Sequence, residues 1–315
     1  MNHSIVIITR NRPEEVRTVV HDLMSQTSVP EEIIIVDASD EKLDVSDLQE
    51  SSEGTVVKVL NSRPDICKQR NMGLQSACGE IVTFFDDDVR LPKNYCEVVL
   101  RRFAEDTKGE IVAIGGKMKN PRVAGRIEIA LRKLLMVPSF DGRNRVLRSG
   151  IPDFGYRFLL ETRVDFLSTT ALSVRASAAK TVTFEAYWHT WVPRGIETGR
   201  RFGEDVLFTL RLGTLGTQII LPSAEFEHWP SHRGRESAFE IQALYGFFLR
   251  YVSAHMVRSI PERILRAWAL LGQGLICLAQ AIRFRDMGYM NGYLLAMKTP
   301  CPESRDLLLV RRKPT

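Results

Sequence analysis

The chain is poor in cysteine, with five in 315 residues (Cys67, Cys78, Cys96, Cys277 and Cys301) and no C-x-x-C pair. An odd, scattered set suits neither a disulfide framework nor a thiolate zinc site, and it points to a reducing compartment. Glycine and proline, at 21 and 14, are near average, which excludes collagen-like and low-complexity chains. No basic region precedes the first apolar run, Ile5 to Ile8. That run is also too short for a secretory signal, so a cytoplasmic start is expected. Nor does a glycine-rich loop follow it, because Ile8 leads into Thr9-Arg10-Asn11-Arg12-Pro13. The G-x-G-x-x-G fingerprint of a dinucleotide-dependent dehydrogenase is thus missing where it would stand. The uncharged stretch from Ala267 to Ile282 has 16 residues and contains Gln273 and Gln280, a little short of the ~20 apolar residues of a bilayer span.

What is present is an ordinary globular composition, 44% hydrophobic and 26% charged. The length allows one large α/β domain with an appendage, or two small domains. A chain of this size buries about three quarters of the surface it exposes when unfolded, so its core needs no metal or disulfide staple. The net charge of +5 hides a division: residues 1–116 carry −8, 117–150 carry +7, 151–253 are neutral and 254–315 carry +6.

Strands and helices alternate through the acidic first part. Ile5 to Ile8 is a continuous apolar run, as expected of a strand covered on both faces. Pro13, Glu14 and Glu15 then open a helix reaching about Ser25. Strands follow at Ile33–Asp37 and Val56–Leu60, a helix at Ile66–Ala77, and a strand at Glu80–Phe85 that ends in Asp86-Asp87-Asp88. This order predicts a mostly parallel sheet with right-handed crossovers. Ligands sit at the carboxyl ends of such strands, where Asp37 and Asp86–Asp88 fall. Farther along, Val164–Val174 and Gln218–Leu221 read as strands, Asp205–Leu215 as a helix, and 236–257 and 262–285 as two long helices.

Three adjacent carboxylates repel one another unless a cation neutralises them. At the end of a buried strand they suit a hard divalent ion, Mg²⁺ or Mn²⁺, which takes oxygen ligands and substrate phosphates. Elsewhere the same triplet would read as a solvated turn. Phe202-Gly203-Glu204-Asp205 opens a helix, where acids commonly complement the helix dipole. His228 follows a late strand.

In their order these blocks resemble the family 2 glycosyltransferases. The resemblance is carried by Ile5–Pro13, by Gln26 with Glu32–Asp40, and by Lys68-Gln69-Arg70-Asn71-Met72-Gly73-Leu74. Gly79–Val82 before Phe85-Asp86-Asp87-Asp88, Gly203-Glu204-Asp205 and His228 complete it. It implies a GT-A fold, an α/β architecture with a mostly parallel central sheet flanked by helices. The catalytic domain would cover 1–235, with a nucleotide-sugar-binding half at 1–116 and an acceptor-side half at 117–235. A helical extension, 236–315, would follow. Asp37, with the main chain of Thr9, Arg10 and Asn11, would hold base and ribose. Arg70, Asp86 and Asp87 would lie along the donor. Asp88 would bind Mn²⁺ or Mg²⁺, with His228 as a further ligand. Asp205 would be the base of an inverting single displacement, with Glu204 in support. The partners implied are a nucleotide-sugar donor, bearing a hexosyl or deoxyhexosyl group, and a lipid-linked or cell-envelope polysaccharide acceptor.

Where many relatives have Gly and Asn, this chain reads Phe166-Leu167-Ser168-Thr169-Thr170, which leaves the acceptor contacts open. Asp153, Tyr156, Arg157 and Tyr187-Trp188-His189-Thr190-Trp191 are candidates to line an acceptor groove, although Trp at such spacing also suits a core. Two alternatives fit the sequence less well. A sugar-phosphate nucleotidyltransferase would need the glycine-rich loop that is missing after Ile8. A non-enzymatic peripheral membrane protein would use the basic blocks but leaves the aspartates unexplained. Nucleic acid is not an expected partner, since 117–150 offers only Phe140 for stacking. The segment 126–137 forms a basic amphipathic helix suited either to an anionic membrane surface or to packing on its own core. For the uncharged stretch 267–282, interfacial docking, a helical hairpin with 236–257, or an oligomer contact fits better than a crossing. The expected location is cytoplasmic, peripheral at the inner face of the plasma membrane.

Overall fold

The computed structural model describes residues 1–44, 48, 54–121, 124–185, 202–230 and 237–300. The chain forms two compact units, and the boundary between them falls inside one helix, after Leu207.

The first unit comprises Met1–Pro121, Phe158–Glu185 and Phe208–Ser231. It is built on β1 (His3–Thr9), β2 (Glu32–Asp37), β3 (Val56–Asn61), β4 (Ile81–Asp86), β5 (Val89–Arg90) and β6 (Ile111–Met118). To these it adds β9 (Thr162–Arg163), β10 (Ala171–Arg175) and β11 (Thr217–His228). The sheet runs in the order β3-β2-β1-β4-β10-β6-β11-β5, with β9 beside β11. β3, β2, β1 and β4 are parallel neighbours, as are β6 and β11; β10 joins the two sets antiparallel. The apolar runs of β1, β2 and β4 are buried along nearly their whole length, as parallel strands covered on both faces must be.

The flanking helices are α1 (Pro13–Met24), α2 (Ile66–Ser76) and α3 (Tyr95–Glu105), with a short α5 (Ala176–Ala179) after β10. Pro13 and two acids start α1, and Val16, Val19, Val20 and Leu23 give it one buried face. Asp65 caps α2 by accepting the Lys68 N–H at 3.2 Å. A side chain at Gly73 would collide with Val6, so glycine lets α2 lie close on β1.

The expected strand over Val164–Val174 does not form as one piece, since β9 and β10 are separated by residues 164–170. There, Leu167 N–H donates to the Thr209 hydroxyl at 3.0 Å and Thr170 N–H to Ser168 Oγ at 3.4 Å. Side-chain partners thus satisfy backbone groups that a ladder would otherwise need. β11 is longer than expected. It passes Pro222 through a register irregularity between Leu221 and Glu225, so that His228 ends the strand rather than following it.

The second unit comprises the described parts of Arg122–Arg157, Ala186–Leu207 and His232–Thr315. It holds α4 (Arg126–Leu134), the hairpin of β7 (Asp141–Val146) with β8 (Pro152–Gly155), and the helices α7 (Ala238–Met256), α8 (Ile260–Phe284) and α9 (Gly288–Lys298). Ser237–Glu240 and Ser259–Glu262 form capping boxes that start α7 and α8. The helix that contains the boundary is α6 (Glu204–Leu212).

Candidate active site

The carboxyl ends of β1 and β2 form one edge of the site. Asp37 is the last residue of β2. Its Oδ1 accepts the N–H of Ser39 at 2.9 Å and the Ser39 hydroxyl at 2.5 Å, and its Oδ2 accepts the Leu43 N–H at 3.1 Å. The carboxylate is buried and oriented by these donors. Asn11 holds a left-handed conformation, φ 56°, and its amide is matched to Asp40 in both senses: Nδ2 donates at 2.8 Å, and Oδ1 accepts the Asp40 N–H at 2.9 Å. Arg10 is exposed and reaches Asp40 at 3.3 Å. Gln69 of α2 ties the two strand ends together by donating to the carbonyls of Thr9 and Val36, at 3.1 and 2.9 Å.

The aspartate triplet divides by direction. Asp86 closes β4, and one ligand atom each from Asp86, Asp88 and His228 all lie within 4.8 Å of one another. Asp87 turns the other way. It accepts the Thr9 hydroxyl at 2.7 Å and the Arg12 guanidinium at 2.9 Å. Arg12 also stands 3.5 Å from Asp88, and Arg70 stands 3.4 Å from Asp86. Burial pushes the Asp87 carboxyl up to about 6, although Arg12 pulls the other way.

β5 brings His228 here. This short strand follows the triplet directly and pairs antiparallel with the end of β11, Val89 opposite His228. Trp229 N–H donates to the Asp88 carbonyl at 2.9 Å. Asn120 clasps the His228 backbone on both sides, its Nδ2 donating to the carbonyl and its Oδ1 accepting the N–H, each at 2.9 Å. The His228 Nε2 is left 3.0 Å from Asp88 Oδ1. Burial works against its charged form, but the hydrogen bond and charge of Asp88, with Asp86 and Asp87 behind it, raise its pKa above the ordinary value. Two carboxylates and an imidazole are a donor set that fits Mn²⁺ or Mg²⁺.

Glu204 and Asp205 occupy the first turn of α6, Glu204 buried and Asp205 half-buried. Asp205 Oδ1 accepts the Val206 N–H at 2.8 Å. Tyr156 is close enough that the Asp205 charge adds to burial in raising the phenol pKa. Asp153, a candidate for an acceptor groove, is instead buried in the hairpin unit, where its carboxylate accepts the Ser139 N–H at 2.6 Å and the Ser139 hydroxyl at 3.1 Å. Tyr187–Trp191 lie outside the described residues. Arg12, Gln69 and Asn120 are site residues that sequence reasoning missed. Only their places, beside the first-strand turn, in the α2 block and after β6, could have pointed to them.

Residues 4–181 match the family model for glycosyl transferase family 2. The chain belongs to that family. The chain also resembles EpsH of Bacillus subtilis (strain 168), with 27% identity over 106 residues, 33% of this chain. The match spans 31% of that relative's length. Among solved structures, S. aureus TarS 1–349 superposes with a TM-score of 0.50 at 18% identity, over 93% of this chain and 90% of that one. The same fragment in complex with UDP-GlcNAc gives 0.50 at 16% identity, over 93% and 91%. At such identities the likeness concerns the fold alone, and that fold is GT-A-like, with a central mostly parallel sheet, flanking helices and further helices at the C-terminal end.

Proposed function

We propose that this glycosyltransferase moves a hexosyl or deoxyhexosyl group from a nucleoside-diphosphate donor to a hydroxyl of a lipid-linked or polysaccharide acceptor, with inversion at the anomeric carbon. The reading rests on the convergence of Asp86, Asp88 and His228 at the ends of β4 and β11, on the edge of the sheet where Asp37 ends β2 and Asn11 follows β1. Open α/β sheets bind ligands outside the carboxyl ends of their strands. TarS, similar in fold, is known in complexes with UDP and UDP-GlcNAc, which supports a donor of that class here.

Asp37 would orient base and ribose, since its own donors fix its direction, and the main chain of Thr9–Asn11 would border the same pocket. Asp86, Asp88 and His228 would hold the divalent cation. Bound there, such an ion offsets the charge that grows on the departing diphosphate. Arg70 is placed to neutralise Asp86 when no cation does. Asp205 would take the acceptor proton as the acceptor oxygen bonds to the anomeric carbon and the bond from that carbon to the diphosphate breaks. Its support in this chain is its half-buried place at the start of α6. Glu204 would stabilise that helix start.

A thermal-shift screen of UDP, dTDP and GDP, with and without Mn²⁺, tests the donor site, because specific binding stabilises the fold by mass action, about 2.7 kcal/mol at a hundredfold excess over Kd. One nucleotide should raise the Tm, and do so more strongly with Mn²⁺. No shift with any nucleotide would overturn the donor assignment; a shift and a turnover both insensitive to EDTA would overturn the cation.

A further inference from the structure

A helix on the surface of a soluble protein turns its polar residues outward. Between Arg266 and Arg283, α8 does the reverse. Gln273 is buried and bonds to Cys277, which in turn reaches Gln242 of α7. Ala269, Gly272 and Ala281 are buried beside it. The open side carries Trp268, Leu271, Leu275 and Ile282, each 43–70% exposed, and no charge stands between residues 267 and 282.

This face continues onto α4. The Trp268 indole N–H donates to the Leu134 carbonyl at 2.9 Å, and Gly272 leaves room for Leu135, which a side chain there would meet at 2.7 Å. α4 buries none of its residues; its Ile127, Leu131 and Leu134 are 80%, 54% and 67% exposed. Two helices therefore present one continuous apolar patch, which marks an interaction surface where a single exposed leucine would not.

The charges at its margin decide what covers it. Arg126, Arg263, Arg283 and Arg285 are exposed and pair with no carboxylate among the described residues. The acids of the same stretch are occupied, Glu262 with the N–H groups of Arg258 and Ser259, and Asp286 with that of Gly288. A second copy laid along α8 would set arginine against arginine in either direction, because both helix ends are basic. Anionic headgroups meet both ends favourably. Length and composition would let α8 cross a membrane, but a crossing helix is apolar all round or packed in a bundle of such helices, whereas α8 has one open face only.

We propose that α4 and α8 form an in-plane docking surface for an anionic lipid bilayer, with the apolar side chains at the acyl boundary and the arginines on headgroup phosphates. This is independent of the transfer chemistry, because none of these residues belongs to the cation or base assignments. The test floats the full chain with vesicles of phosphatidylcholine, alone or mixed with phosphatidylglycerol, at low and high salt. The protein should float with the anionic vesicles and be released by salt. Arg263→Gln/Arg283→Gln/Arg285→Gln should weaken binding, and Leu271→Glu/Leu275→Glu should reduce it about tenfold or more. Acyl-brominated lipid should quench the part of the fluorescence that a Trp268→Phe variant lacks, a readout that holds even if the glutamate variant folds poorly. Wild type remaining unbound, equal flotation of wild type and the leucine variant, or absence of that quenching would each overturn the proposal. So would a wild-type dimer that the leucine variant converts to a monomer, which would instead assign the patch to a second copy.

Discussion

Of the three adjacent aspartates, Asp86 and Asp88 aim ligand atoms toward His228, whereas Asp87 is held inward by Thr9 and Arg12. A run of like charges thus becomes two carboxylates that could hold a cation and one internal brace. Arg12 serves both, because it touches Asp87 and Asp88. That role was not legible in the sequence, since its partners lie 75 residues and more away and only the fold of β4 onto β1 brings them together. With the Asp87 side chain 5% exposed, Arg12→Ala would leave a buried carboxylate with the Thr9 hydroxyl as its remaining side-chain donor among the described residues, at a cost of about 3 kcal/mol in urea unfolding. Thr9→Val should cost less, about 1–2 kcal/mol, because the ion pair survives. Two further substitutions separate the proposed roles. Asp205→Asn should slow transfer about 10²–10⁴-fold while nucleotide binding persists, and Asp88→Asn should remove the Mn²⁺ increment in thermal shift. Loss of nucleotide binding in Asp205→Asn would undo the base assignment.

The elements that could be read in advance are those whose local signals agree with their burial. β1, β2 and β4 are unbroken apolar runs buried on both faces, and α1 carries its proline, acids and apolar stripe in the expected places. β6, by contrast, went unread. It ends Gly115-Gly116-Lys117-Met118, where glycine makes room for Leu167, Ile220 and Tyr95, so the packing that makes it a strand comes from its neighbours. β11 was underestimated for a similar reason: Pro222 and the irregular register look like an end, and only pairing with β6 and β5 carries the strand on to His228. The late histidine was therefore legible as a candidate, but its route to the aspartates was not. α6 depends on a single backbone feature. Gly203 has φ +78°, and a side chain there would strike the Phe248 ring. Gly203→Ala should therefore cost at least about 1 kcal/mol through the left-handed strain alone. It should also lower transfer by displacing the first turn of α6, whereas an exposed control substitution such as Lys108→Ala should alter neither the melting temperature nor the rate.

Charge and protonation act on the molecule as a whole. The −8 of residues 1–116 and the basic 117–150 and 254–315 fall largely into different units, so the acidic part carries the aspartates proposed to hold the cation and the basic parts carry α4 and α8. The first unit also contains a polar line across the middle of its sheet: His3 Nε2 lies 2.7 Å from Thr83 Oγ1, and that hydroxyl lies 2.7 Å from Ser173 Oγ. Among the described residues, His3 Nδ1 is buried with no partner. Burial pulls the ring from its ordinary pKa of 6.5 to about 4, because no neighbour there compensates a charged imidazole. Unfolding exposes the ring, which then takes up a proton at any pH between the two values, so the unfolded state binds more protons and acid favours it. The His3 contribution is therefore complete above pH 6.5 and is lost as pH falls toward 4, a total of roughly 3 kcal/mol. Other groups that favour the fold at neutral pH, such as Asp106 with its Arg175 and backbone donors, add to the acid sensitivity but are common to wild type and a His3 variant. Urea unfolding at pH 7.5 and 4.5 should accordingly show a larger loss in wild type than in His3→Gln, whose amide can still meet Thr83 but takes no proton. Equal losses in the two proteins would mean that His3 does not set the acid limit, and that the ring is hydrated or partnered in solution.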